Sequence, residues 1–168
     1  MRWKLALMRH AKSDWAEAGL SDHDRPLNAR GRRDAPEMAR WLADHDAVPA
    51  VILASTAKRV EETIERLIKH WRTLPLVIRS NSLYLASPNT ILEHIRCEGI
   101  DADGKRPTRM LVVGHNPGME QLVTSLAAMD TVMPTAAIAL FECLAIDPDD
   151  DNAPQVERLL AVGSPKLL

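Results

Sequence analysis

Trp3-Lys4-Leu5-Ala6-Leu7-Met8 runs straight into Arg9-His10-Ala11, and this stretch decides the fold. The apolar run is short for a helix and suits a strand buried on both faces. It ends in two basic residues, which such a strand delivers to one edge of a sheet. A polar loop follows to about Leu27. Asn28 is then placed to cap a helix whose apolar face is Ala35, Met38, Ala39 and Leu42.

Strands and helices alternate along the rest of the chain. Ala50–Ala54 reads as a second strand, followed by a helix with Val60, Ile64, Leu67, Ile68 and Trp71 on one face. Leu76–Ile78 is a short third strand. Ser87-Pro88 gives a cap and a proline at the first helical position, for a helix that buries Ile91, Leu92 and Ile95 and stops at Gly99. Met110–Val113 is the fourth strand, and Asn116-Pro117 repeats the cap-plus-proline signal ahead of Met119, Leu122, Val123 and Leu126. Ala137–Ile146 and Val156–Val162 read as two strands, antiparallel to each other, around the acidic turn Asp147–Asn152. The pattern predicts a three-layer α/β/α sandwich with a mostly parallel central sheet, as one domain over residues 1–168.

Composition narrows the function classes. A chain of 168 residues buries roughly 70% of its unfolded surface and needs no staple. Cys97 and Cys143 form no CxxC pair, so two buried thiols in a reducing compartment are expected. The 21 basic and 23 acidic residues nearly cancel and show no basic stripe, and aromatics are scarce, which argues against nucleic-acid binding. Met1–Met8 is too mixed for a signal peptide, and no apolar run approaches membrane-spanning length. The expectation is a soluble cytoplasmic protein with no membrane partner.

In open α/β sheets ligands gather at the carboxyl ends of the strands. Strand one ends in Met8-Arg9-His10. Strand two runs into Ser55-Thr56-Ala57-Lys58-Arg59, and strand four into Gly114-His115-Asn116-Pro117. Two histidines and two arginines thus converge from three places in the chain. Arginine forks and a cationic imidazole complement a dianionic phosphoryl group. A second, neutral imidazole is a nucleophile that needs no separate base near pH 7. The helix opening after His115 adds N–H groups and a positive dipole end. No carboxylate cluster or histidine pair at ligand spacing accompanies the set, so no metal site is expected.

Leu7-Met8-Arg9-His10-Ala11 resembles the Arg-His-Gly signature of the histidine phosphatase (phosphoglycerate mutase-like) superfamily, and the chain is most similar to the short SixA-type phosphohistidine phosphatases. Asp24-Arg25-Pro26-Leu27-Asn28-Ala29-Arg30-Gly31, Ser55 through Thr63, Leu83-Tyr84-Leu85-Ala86-Ser87-Pro88 and Val112-Val113-Gly114-His115-Asn116-Pro117-Gly118 extend the resemblance in the family's order, over residues from about 5 to 126. It implies a phosphoglycerate mutase-like fold. It implies His10 as the nucleophile, carried through a covalent phosphohistidine, with Arg9, Arg59 and His115 on the phosphoryl oxygens. It implies no metal or organic cofactor. Lys12, Asn28 and Gly114 are further candidates for substrate binding.

The sequence departs from the family pattern in three places, one of them a short segment between the second helix and Tyr84. Ala11 stands where the signature has glycine. Ser80-Asn81-Ser82 stands where many relatives lead into the acid that protonates a leaving oxygen, and only Asp14, Asp22 and Asp24 of the first loop are left to approach the site. An alkoxide leaves poorly without a proton donor, whereas an imidazole leaves readily when its other nitrogen is protonated. The missing acid therefore favours a phosphohistidine or another phosphoramidate, borne by a protein substrate such as a histidine-containing phosphorelay component. No long insertion forms a lid over a small metabolite. The alternatives are a phosphatase of small phosphate esters or pyrophosphates, and a phosphate-recognition module without turnover.

Overall fold

The computed structural model describes residues 2–98, 107–144 and 154–168. Six strands form one sheet: β1 (Arg2–Arg9), β2 (Val51–Ser55), β3 (Leu76–Ser80), β4 (Arg109–Gly114), β5 (Ile138–Leu144) and β6 (Val156–Gly163). Their order across the sheet is β3-β2-β4-β1-β5-β6. The pairs β2·β3, β2·β4 and β1·β4 are parallel, while β5 runs antiparallel to both β1 and β6. The expected mostly parallel sheet is what the structure contains.

Side-chain alternation on the inner strands divides the core into two layers. Ala6, Met8, Ile52, Ala54, Leu111 and Val113 face helices α1 (Ala29–Asp44) and α2 (Lys58–Ile68), where Met38, Leu42, Val60, Ile64 and Leu67 cover them. Leu5, Leu7, Val51, Leu53, Met110 and Val112 face α3 (Pro88–Cys97) and α4 (Gly118–Ala127), covered by Ile91, Ile95, Met119, Leu122 and Val123. Every one of these side chains is essentially fully buried. Helices on both faces of the sheet give the three-layer sandwich.

The adjacent strands β1 and β4 lead into helices on opposite faces. Their carboxyl ends therefore diverge, and a crevice opens between them where such sheets bind ligands. Because β4 lies between β1 and β2, the residues that follow all three strands become neighbours.

Several expectations need correction. Trp71 lies beyond α2, which ends at Ile68, but it is buried and donates its indole N–H to the Ala39 carbonyl at 3.1 Å. Asn116 does not cap α4. The helix starts at Gly118 without a side-chain cap, and the Asn116 amide donates instead to Glu120 and to the Met133 carbonyl. Of the two thiols, only Cys143 is buried; Cys97, at the end of α3, is exposed. The helix stop at Gly99, the end of the fifth strand beyond Leu144 and the acidic turn over residues 147–152 lie outside the described residues.

Candidate active site

His10 follows β1 immediately, and its backbone N–H donates to the Gly114 carbonyl at the end of β4. The next residue, Ala11, is fully buried, with its N–H on the Thr63 hydroxyl of α2 at 3.1 Å, so alanine fits where the signature has glycine. The His10 ring sits close to the Ala11 carbonyl, 2.7 Å from Nδ1. That bond assigns the proton to Nδ1. Nε2 is left with its lone pair, facing the Arg59 Nε–H at 3.2 Å. Burial is the largest cause holding the His10 pKa down to about 4, with Arg59 and Arg9 adding to it, so the ring is neutral at pH 7.

His115 stands beside it, with ring centroids 5.1 Å apart. Its Nδ1 faces Arg59 Nη2 at 3.2 Å, and its Nε2 lies 2.7 Å from the Ser55 hydroxyl. Arg59 donates to Nδ1, so Nε2 carries the proton and gives it to Ser55. Burial again dominates, followed by His10, and the pKa falls to about 3. The cationic imidazole expected from the sequence is thus a neutral ring in this structure, because water is withdrawn from it. A dianion within 4–6 Å would favour its charged form again.

Arg59 organises the cluster. It enters from the first turn of α2, is 4% exposed, and reaches His10, His115 and Asp22 with one guanidinium. Neighbouring Lys58 is exposed, so Arg59 is the cation of this turn that enters the site. Arg9 donates Nη1 to the Met133 carbonyl at 3.1 Å, while its Nε is buried with no hydrogen-bond partner among the described residues.

Asp22 is the aspartate of the first loop that reaches the site. Its Oδ2 accepts from Arg59 Nη2 at 2.9 Å and from the Tyr84 hydroxyl at 2.5 Å. The Tyr84 bond is the largest cause holding its pKa below the usual carboxylate range. Asp14 accepts instead from the Ala16 N–H, and Asp24 pairs with Ser21 and His23 at the surface. The loop itself is held by Arg25, 9% exposed, whose guanidinium reaches the carbonyls of Asp14, Glu17 and Leu20.

These residues line one open cavity of about 500 Å³. Arg9, His10, Lys12, Arg59 and His115 face it, with Ser13, Trp15, Asp22, Leu85, Asn116 and Thr135. Trp15 is exposed at its mouth, with the Arg25 guanidinium stacked on the ring at 4.1 Å. Two candidates do not line it. The Asn28 side chain caps α1 by accepting from the Gly31 N–H, and Gly114 packs against Met119 while its carbonyl holds His10.

Three residues that no chemical motif singles out also shape the cluster. Ser55 orients His115. Tyr84 packs edge-on against His115, with centroids 5.2 Å apart, and holds Asp22. His23 bonds Thr56 and packs on Tyr84 at 5.0 Å, one layer behind the cavity. Ser55 and Tyr84 both lie in stretches that carry the family resemblance. No pattern in the sequence pairs Tyr84 with Asp22, 62 residues apart.

Neutral Nε2 beside two guanidiniums is an arrangement for attack on an anionic phosphoryl group. The chain belongs to the histidine phosphatase superfamily (branch 1), whose family profile matches residues 5–81. Within that superfamily it is of the SixA type. The crystal structure of a SixA protein from Agrobacterium tumefaciens superposes with a TM-score of 0.77 at 27% identity, covering 97% of this chain and 99% of that one. The protein histidine phosphatase SixA complexed with tungstate shares the fold, with a TM-score of 0.77 at 22% identity and 97% of each chain covered. An uncharacterised Mycobacterium tuberculosis H37Rv protein is 40% identical over 123 residues, 73% of this chain and 71% of that one. The protein is therefore a phosphatase by family, and no described helix is long and apolar enough to cross a membrane.

Proposed function

We propose that the protein is a protein phosphohistidine phosphatase with His10 as its nucleophile. The observation that carries this reading is the state of Asp22. Among the described residues it is the one carboxylate lining the cavity, and Tyr84 and Arg59 hold it ionised. A leaving alkoxide would find no protonated carboxyl there. A leaving imidazole needs none.

His10 Nε2 attacks phosphorus as the N–P bond of the substrate breaks. The substrate imidazole takes the electron pair and departs neutral, its other nitrogen already protonated. His10, now phosphorylated at Nε2 and protonated at Nδ1, carries a cationic ring that is itself a good leaving group. Water then attacks phosphorus, the Nε2–P bond breaks, and H₂PO₄⁻ leaves with both protons of the water. Throughout, Nδ1–H stays on the Ala11 carbonyl. Arg9 Nε and the Arg59 fork donate to the phosphoryl oxygens, most strongly where charge develops in the transition state. His115 acquires a proton as the dianion enters and donates alongside them. Lys12 adds positive field at the cavity wall.

The open cavity, over which the described residues place no lid, supports a phosphorylated side chain on a protein as substrate, such as that of a histidine-containing phosphorelay component. A reducing cytoplasmic setting fits two cysteines that stand free. Incubation with a phosphohistidine-bearing protein should release phosphate, and His10→Ala should abolish release while acid-labile label appears on wild-type His10. Binding without release would mark a recognition module instead. The cavity volume lies within the range of small-molecule sites, which favours small phosphate esters or pyrophosphates as the second reading. Higher kcat/KM for those substrates than for the phosphoprotein would replace the first reading with the second.

A further inference from the structure

A second cavity, of about 130 Å³, adjoins the catalytic one. Thr135 lines both. Arg30 and Arg33 from the first two turns of α1 and Lys166 from the C-terminal segment surround it, with the buried hydroxyl residue Ser164 in its wall. Among the described residues Asp34 is the one carboxylate there. It is 7% exposed and spoken for by Arg30 at 3.4 Å and Arg33 at 3.8 Å. Three cations against one carboxylate leave the cavity positive, although the chain as a whole carries a formal charge of −2.

Helix electrostatics do not explain the arginines. The first turn of a helix disfavours cations and that of α1 holds no acid, while Asp34, the one acid of α1 paired with the arginines, leaves two of the three positive charges unbalanced. Their position relative to the catalytic loop is nevertheless fixed. A Cβ on Gly31 would lie 2.2 Å from the Lys12 carbonyl oxygen, so glycine lets the first turn of α1 touch the backbone two residues past His10. Arg30 Nη2 also donates to the Thr135 hydroxyl on the shared wall at 3.2 Å.

We infer that this cavity is an anion subsite, occupied by carboxylate side chains that flank the phosphorylated residue of an acidic substrate protein. The inference rests on the phosphoprotein reading above. Exposed cations at the rim of a reaction site act mainly on encounter and on KM, and their effect is screened by salt.

The test compares wild type with R33E/K166E on three substrates. The first is a phosphohistidine-bearing protein with acidic residues within one turn of the phosphohistidine. The second is the same protein with those acids changed to glutamine, and the third is phosphoramidate. Neutralising the acids should lower wild-type kcat/KM about tenfold, mostly through KM, and should leave R33E/K166E indifferent. Phosphoramidate hydrolysis reports the catalytic cavity alone and should differ less than twofold between the enzymes. R33Q/K166Q should give an intermediate response and serves if the reversed variant melts early. Equal sensitivity of both enzymes to the acidic residues would overturn the subsite while leaving the phosphoprotein reading intact. Wild type that hydrolyses phosphoramidate but no phosphoprotein would overturn that reading and the subsite with it. With pyrophosphate run as a further control on both enzymes, selective loss of its hydrolysis in R33E/K166E would overturn the protein partner in favour of a second phosphate.

Discussion

Asp22 and Arg59 are joined twice: Oδ2 of Asp22 accepts from Arg59 Nη2 at 2.9 Å, and the Asp22 backbone carbonyl accepts from Nη1 at 2.5 Å. A carboxylate bound in this way is a positioning group and not a proton donor. Asp22→Asn keeps the backbone bond and removes the charge. Both phosphoramidate and phosphate-ester hydrolysis should fall, each by about tenfold, the effect of one lost charge-assisted bond in the transition state. The ratio of the two rates should stay unchanged. A loss confined to esters would identify Asp22 as the missing acid and return the substrate question to the beginning.

Tyr84 supplies the other bond to that carboxylate. Its hydroxyl lies 2.5 Å from Asp22 Oδ2, and its ring packs against both His115 and His23. Tyr84→Phe keeps the packing and deletes the bond. Because Asp22 is half-exposed, the expected cost is of order 1 kcal/mol, or about fivefold in kcat. The folded pKa of Asp22 is depressed, so its contribution to stability is present above the unfolded value and is lost as pH falls through the folded one. Tyr84→Phe raises the folded value. Acid unfolding, followed by circular dichroism, should therefore begin at higher pH in the variant than in wild type. Coincident acid transitions would show that the hydroxyl contributes nothing to Asp22.

Local pattern carried most of this architecture. The six strands and four helices followed from apolar period and cap chemistry, because β1, β2 and β4 are buried on both faces and read as continuous apolar runs. The convergence of His10, Arg59 and His115 followed from the rule for strand ends. What stayed hidden was non-local. Asp22 could not be separated from Asp14 and Asp24 by sequence, since the choice is made by Tyr84 and Arg59 across the cavity. Asn116 shows the same limit: a cap signal is local, while the Met133 carbonyl that takes its amide, 17 residues on, is set by the tertiary structure. The neutral state of His115 depends on burial, which no motif records.

Gly31 ties α1 to the loop that follows His10. A Cβ there would meet the Lys12 carbonyl oxygen at 2.2 Å and the Lys12 nitrogen at 2.9 Å, both backbone atoms that cannot swing aside. Gly31→Ala would gain helix propensity at an ordinary site. Here overpacking should dominate and destabilise the fold by about 1–3 kcal/mol. The displaced segment is two residues from His10, so kcat for phosphoramidate should fall together with the midpoint of denaturant unfolding. An alanine variant as stable and active as wild type would show that α1 does not bear on the loop.

His10 and His115 make the fold sensitive to mild acid. Both folded pKa values are lowered, to about 4 and about 3, by burial above all. The unfolded chain titrates near 6.5. Between these values the unfolded state binds more protons than the folded one, so stability is complete above about pH 6.5 and declines as pH falls toward the folded values. From pH 7 to pH 5 the loss is about 2 kcal/mol for each ring. Denaturant unfolding at the two pH values should show it, and His115→Gln should remove about half of the difference whatever its own effect on stability at pH 7. Carboxylates do not imitate this window, because Asp22 gives up its contribution only at lower pH. Wild type equally stable at pH 5 and pH 7 would mean that both rings protonate without leaving their places.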